Sequence, residues 1–136
     1  MRSYHRCMTS APSDAGTDGA ARVVVVDLDR RVQQSVADVL RLAGVDVVGT
    51  AGDPRAALDL IETAHPTVML LDPRLPDVSA GDALLSSIEL GWPALRVVLM
   101  GWPDANERPP RGSVAFVSKS AQPEDFVAAT LAACRC

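Results

Sequence analysis

Two aspartates and a lysine stand at the ends of short apolar runs: VVVV precedes Asp27, VMLL precedes Asp72, and VAFV comes just before Lys119. Runs of this kind, apolar at every position, suit strands covered on both faces, as parallel strands are. Taken singly, an aspartate after a strand is an ordinary turn or cap residue. Gathered at one sheet edge, the three make a reactive set. Two close carboxylates repel each other and invite a hard divalent cation such as Mg2+, held by carboxylates and waters. A carboxylate beside such a cation and a lysine can attack phosphorus and form an aspartyl phosphate. Cation and ammonium would neutralise charge on the transferring oxygens.

The elements that must position these groups alternate along the chain. Val23–Val26 reads as the first strand, and Val32, Val36, Val39, Leu40 and Ala43 then recur at helical spacing until Gly44 stops the helix. Asp46–Ala51 is a second strand. Asp53-Pro54 supplies an N-cap and a proline at the first helical position, and Ala57, Ile61 and Ala64 follow on one face before Pro66. Val68–Leu71 is the third strand. Ser79 and Asp82 resemble a capping box for a helix to about Leu90, with Leu84 and Ile88 facing inward. Arg96–Met100 and Val114–Val117 are the fourth and fifth strands, and Pro123-Glu124-Asp125 opens a last helix carrying Phe126, Thr130 and Leu131. Between Gly101 and Gly112 lie Pro103, Pro109 and Pro110, which leave room for one helical turn at most. This alternation predicts an α/β domain with a parallel sheet and right-handed crossovers. Ligands of such sheets bind outside the carboxyl ends of the strands, which is where Asp27, Asp72, Gly101 and Lys119 fall.

Composition sets the bounds. A chain of 136 residues, 48% hydrophobic and 22% charged, suits one globular domain. With two Trp, one Tyr and two Phe, its core must be aliphatic. Residues 1–21 lack periodicity and read as a disordered leader, residues 22–133 as the domain, and 134–136 as a tail. A net charge of −4 and scattered basic residues argue against a nucleic-acid partner. There is no apolar run near the ~18 residues of a membrane span and no signal-peptide pattern, so no membrane partner and a cytoplasmic location are expected. Cys7, Cys134 and Cys136 do not describe a disulfide framework. Cys134-Arg135-Cys136 is either a frayed tail or, with His5 near Cys7 as the one further candidate, a metal or redox pair.

The segments VVVVDLD (23–29), VMLLDPRLPD (68–77), RVVLM (96–100) and VAFVSKSAQPEDF (114–126) resemble the receiver domain of bacterial two-component response regulators. The resemblance spans about residues 22–133. It implies a flavodoxin-like three-layer sandwich, its five-stranded parallel sheet in the order 2-1-3-4-5, with the fourth helix short or missing here. It implies that Asp72 accepts phosphate from a histidine kinase or phosphotransfer protein. Asp27, Asp72 and the carbonyl of Arg74 would hold Mg2+, and Lys119 would contact the phosphoryl group. Such a domain has no enzyme activity of its own and signals through a downstream protein partner or a homodimer.

Three departures mark an atypical member. Leu28 stands where the family carries a second acid, which should weaken Mg2+ binding; Asp29 either compensates or caps the first helix. Gly101 replaces a hydroxyl residue at the first switch position, and Phe116 holds the aromatic switch position without a hydroxyl. The alternative to a stand-alone phospho-receiver is therefore a pseudo-receiver, an interaction module independent of phosphorylation. A remoter alternative is an Asp-x-Asp phosphatase using Asp27 and Asp29, but Glu124-Asp125 sits where it compensates a helix dipole. Flavin binding lacks a phosphate loop after the first strand, and DNA binding would need a further module. Trp92 and Trp102, flanking strand four, read as loop packing or as a partner-docking patch.

Overall fold

The computed structural model describes residues 21–101 and 115–134. The expected leader, the Pro-rich segment with Trp102, and Cys7 and Cys136 lie outside those residues, Ala21, Gly101 and Cys134 excepted. The elements run β1 (Arg22–Val26), α1 (Arg30–Leu42), β2 (Asp46–Ala51), α2 (Pro54–Ala64), β3 (Val68–Leu71), α3 (Val78–Gly91), β4 (Arg96–Gly101), β5 (Ala115–Ser118) and α4 (Pro123–Cys134). Strands pair in the order β2-β1-β3-β4-β5, every pair parallel. This is the α/β sheet and the strand order expected, and each expected strand lies within one residue of its observed bounds.

Side-chain alternation explains why the central strands are apolar throughout. Val23 and Val25, Val68 and Leu70, and Val98 and Met100 point to the face covered by α1 and α4, where Leu40 and Phe126 meet them. Val24 and Val26, Met69 and Leu71, and Val97 and Leu99 point to the face covered by α2 and α3, against Ile61, Leu84 and Ile88. Each strand therefore sits between two apolar layers, and a polar residue on either parity would be buried without a partner. Burying each of these Val, Leu and Met side chains is worth roughly 1.5–3 kcal/mol. Trp92 is half-buried against the second core, so loop packing accounts for it. Cys134 is the last residue of α4 and packs on the first core, and so belongs to the domain and not to a tail.

Helix boundaries follow local chemistry. Asp29, Asp53 and Asp77 are N-caps, each accepting a backbone N–H with its carboxylate. After α1, Gly44 takes φ +86, a value open to glycine and closed to most side chains. The cap of α3 is a correction: Asp77, not Ser79, accepts from the Ala80 amide, at 2.9 Å. Ser79 and Asp82 lie inside the helix. Asp77 is extended, so its carboxylate reaches the amide of the third helical residue, and Gly81 then meets a close backbone crossing. A Cβ built on Gly81 would lie 1.5 Å from the Pro73 carbonyl oxygen, so the loop after β3 rests directly on the first turn of α3.

Gly81→Ala therefore forces backbone, not a flexible side chain, to move. It should destabilise the fold by about 3 kcal/mol, at the upper end of overpacking costs. Gly91→Ala, where a Cβ meets nothing within 4 Å, should be neutral or stabilise by up to about 1 kcal/mol. Urea denaturation of both variants checks this, and equal midpoints would contradict the reading of Gly81.

Candidate functional site

The sheet carries its polar residues to one edge by extending its hydrogen bonding past the strands. The Asp27 amide donates to the Ala51 carbonyl at 3.1 Å, the Asp72 amide to Val26 at 3.0 Å, and the Lys119 amide to Gly101 at 2.7 Å. Each residue is thus fixed in backbone before its side chain does anything. The side chains then meet. Lys119 Nζ lies 2.5 Å from Asp72 Oδ2 and 2.7 Å from Asp27 Oδ2. The lysine side chain is 6% exposed and Asp27 is 1% exposed, so the cluster is sealed on most sides.

The remaining carboxylate oxygens are also held. Asp72 Oδ1 accepts the Arg74 amide at 2.9 Å, closing a tight turn that carries the Arg74 carbonyl. Asp27 Oδ1 accepts the Asp29 amide at 2.8 Å. Asp27 Oδ2 is paired with the Lys119 ammonium and has no other partner among the described residues, so this buried oxygen keeps a second acceptor site. That is where a further cation would find a ligand.

Burial alone would push the Lys119 ammonium down, and it is the largest single influence on that group. The close contacts and charges of Asp27 and Asp72 together outweigh it and hold the pKa above the usual lysine value of 10.5. The sign of the linkage follows. A raised folded-state pKa stabilises the fold fully below the unfolded value and is lost as pH rises through the folded one. The lysine's contribution thus holds through neutral pH and is lost in strong alkali.

The other expected site residues fall around this core. Asp29 is exposed and its Oδ1 accepts the Arg31 amide at 2.9 Å, making it the cap of α1. Leu28 is 57% exposed, outside both apolar cores. Gly101 ends β4, and a Cβ there would stand 3.1 Å from the Phe116 ring, so the phenyl lies over the space a larger residue would use. Glu124 and Asp125 occupy the first turn of α4. Gln33 was not singled out from the sequence, yet it is buried and its Nε2 donates to the Asp27 carbonyl at 2.8 Å. A polar residue on an apolar helix face was the available signal.

An oxygen-only donor set suits Mg2+, which accepts one or two protein carboxylates and keeps its waters. Among the described residues no three His, Cys, Asp or Glu side chains gather as a metal site. The acidic donors are two, Asp27 and Asp72, and the remaining acceptor capacity of Asp27 Oδ2 makes the pair compatible with a cation.

Comparison with known proteins agrees with this geometry. Residues 23–131 match the family described as the response regulator receiver domain. The chain is 30% identical over 76 residues to the transcriptional regulatory protein PdtaR of Mycobacterium tuberculosis, covering 56% of this chain and 37% of that one. The chain thus spans little more than a third of that relative. The receiver domain of the M. tuberculosis response regulator NarL superposes with a TM-score of 0.64 at 33% identity, covering 82% of this chain and 94% of that domain. The chemotaxis response regulator CheY4 of Vibrio cholerae shares the fold with a TM-score of 0.70 at 23% identity, over 81% and 95% of the two chains. A family match over most of the chain, on a five-stranded sheet in this order with Asp27, Asp72 and Lys119 joined at its edge, means that the protein belongs to the response regulator receiver domain family.

Proposed function

We propose that this domain accepts a phosphoryl group at Asp72 from a histidine kinase or phosphotransfer protein and transmits the change by binding a downstream protein or a second copy of itself. The contact of Lys119 Nζ with Asp72 Oδ2 at 2.5 Å carries the reading. It joins a fixed nucleophile to a fixed cation from positions 47 residues apart. In the transfer, an Asp72 carboxylate oxygen forms a bond to phosphorus while the donor's P–N bond breaks. The imidazole leaves with the bonding electron pair and an acyl phosphate remains. Lys119 stays charged and turns to the phosphoryl oxygens as Asp72 loses its own charge. The Arg74 amide holds Asp72 Oδ1 and so orients the carboxylate.

Asp27, Asp72 and the Arg74 carbonyl would hold Mg2+, which supplies charge neutralisation at the transferring oxygens. Two carboxylates instead of three make that binding weak, because Leu28 brings no oxygen and Asp29 is engaged as a helix cap. The output side is also altered. Gly101 has no hydroxyl to grip a phosphoryl oxygen, and the Phe116 ring, 46% exposed, already lies against it. Signalling here would rest on charge change at Asp72 and on the surface near Phe116.

Incubation with acetyl phosphate and Mg2+ should give a phosphate adduct in the intact mass. The adduct should vanish in Asp72→Asn and in EDTA. No adduct on folded protein, with a conventional receiver labelled in parallel, would assign the domain to phosphorylation-independent binding instead.

Lys119→Met leaves two buried carboxylates without their shared cation. Breaking a buried pair costs about 3–5 kcal/mol, so the variant should melt well below the parent in EDTA. Mg2+ should then raise its Tm more than it raises the parent's. An equal response to Mg2+ in both proteins would contradict the view that ammonium and metal serve the same oxygens.

A further inference from the structure

Asp27 is held at four points, and three are explained by the sheet, the α1 cap and Lys119. The fourth is its carbonyl. The chain turns into α1 directly after β1, and among the described residues no backbone amide donates to the Asp27 oxygen. Gln33 fills the gap. It lies in the first turns of α1, is 8% exposed, and extends its carboxamide inward so that Nε2 donates to that carbonyl at 2.8 Å in a buried contact.

Space for the carboxamide comes from the neighbouring strand. A Cβ at Gly52, the residue after β2, would lie 3.1 Å from Gln33 Nε2 and 3.7 Å from the Asp27 carbonyl. The first distance is tighter than most Cβ contacts, so the carboxamide would have to give by a few tenths of an ångström. Gln33 and Gly52 are thus complementary: the amide occupies what a side chain at 52 would claim. Together they tie α1, the end of β1 and the turn after β2 to one backbone oxygen. The Asp27 carboxylate in turn receives the Asp29 amide and Lys119.

We propose that Gln33 is the positioning residue for Asp27, setting the carboxylate's distance from Lys119 and Asp72, with Gly52 as its matched neighbour. The proposal deepens the phospho-receiver reading and rests on it for its consequence in phosphate chemistry, though not for its structural part. Gln33 touches no reacting atom; it acts through the backbone of Asp27. Groups that orient a ligand in this indirect way typically change affinity by ten- to a hundredfold when removed.

The test uses the whole chain with Gln33→Met, which keeps the side chain's shape and removes its donor. Amide hydrogen exchange is followed at Asp29, whose N–H reports the Asp27 carboxylate, and at Val98 in the core. The Asp29 amide should exchange about tenfold faster while Val98 changes less than twofold, and Mg2+ affinity should fall about tenfold. Gly52→Ala should act in the same direction in the parent protein. In a Gln33→Ala background, where the carboxamide is gone, Gly52→Ala should add nothing, a non-additivity expected of groups in contact. Equal acceleration at Asp29 and Val98 would reduce Gln33 to a general stabiliser and overturn the proposal. So would an unchanged Asp29 amide, or full additivity of the two substitutions. If the parent protein takes up no phosphate, the proposed function fails alone, and the exchange and additivity results still decide the role of Gln33.

Discussion

The arrangement turns on one buried ammonium shared by two carboxylates. Asp27 and Asp72 come from adjacent strands whose register leaves their side chains facing the same point. Without a cation between them the two charges would repel in a poorly solvated corner, and one would have to take up a proton. Lys119, delivered from the sheet's edge strand, removes that cost. Its contacts outweigh the burial that would otherwise discharge it. Sheet order, strand ends and core alternation all serve to bring these three groups within contact distance.

That dependence explains which departures matter. Leu28 and Asp29 lie beside the cluster but do not contribute oxygens to it, so the acidic site is narrower than a three-carboxylate one. Gly101 and Phe116 alter the opposite rim, where a phenyl ring covers the place of a hydroxyl side chain. Asp72 and Lys119 are untouched by either change. On the proposed function, phosphoryl acceptance at Asp72 would keep its parts while the rim that would read it out is changed.

Much of this was legible in the residues themselves. Four consecutive valines before an aspartate can hardly be anything but a doubly covered strand, and the strand ends of a parallel sheet converge. Hence Asp27, Asp72 and Lys119 could be placed together from positions far apart. What could not be read depended on close approach in three dimensions. The DVSAGD stretch reads as a Ser79–Asp82 capping box, but the cap is Asp77, whose carboxylate accepts the Ala80 amide. Gln33 looks like any polar residue of an amphipathic helix until the Asp27 carbonyl lies within reach of its amide. Asp29 was open between ligand and cap because both roles need the same short carboxylate, and only the turn into α1 decides.

The measurement that bears most directly on the account is the titration of the Lys119 ammonium, followed by nitrogen-detected NMR in the parent protein and in Asp27→Asn and Asp72→Asn. With two carboxylates in contact, the parent lysine should titrate above 10.5, and each substitution should lower it, because burial remains while an attracting charge is lost. A parent value below 10.5, or one indifferent to both substitutions, would mean that the ammonium is not shared between Asp27 and Asp72.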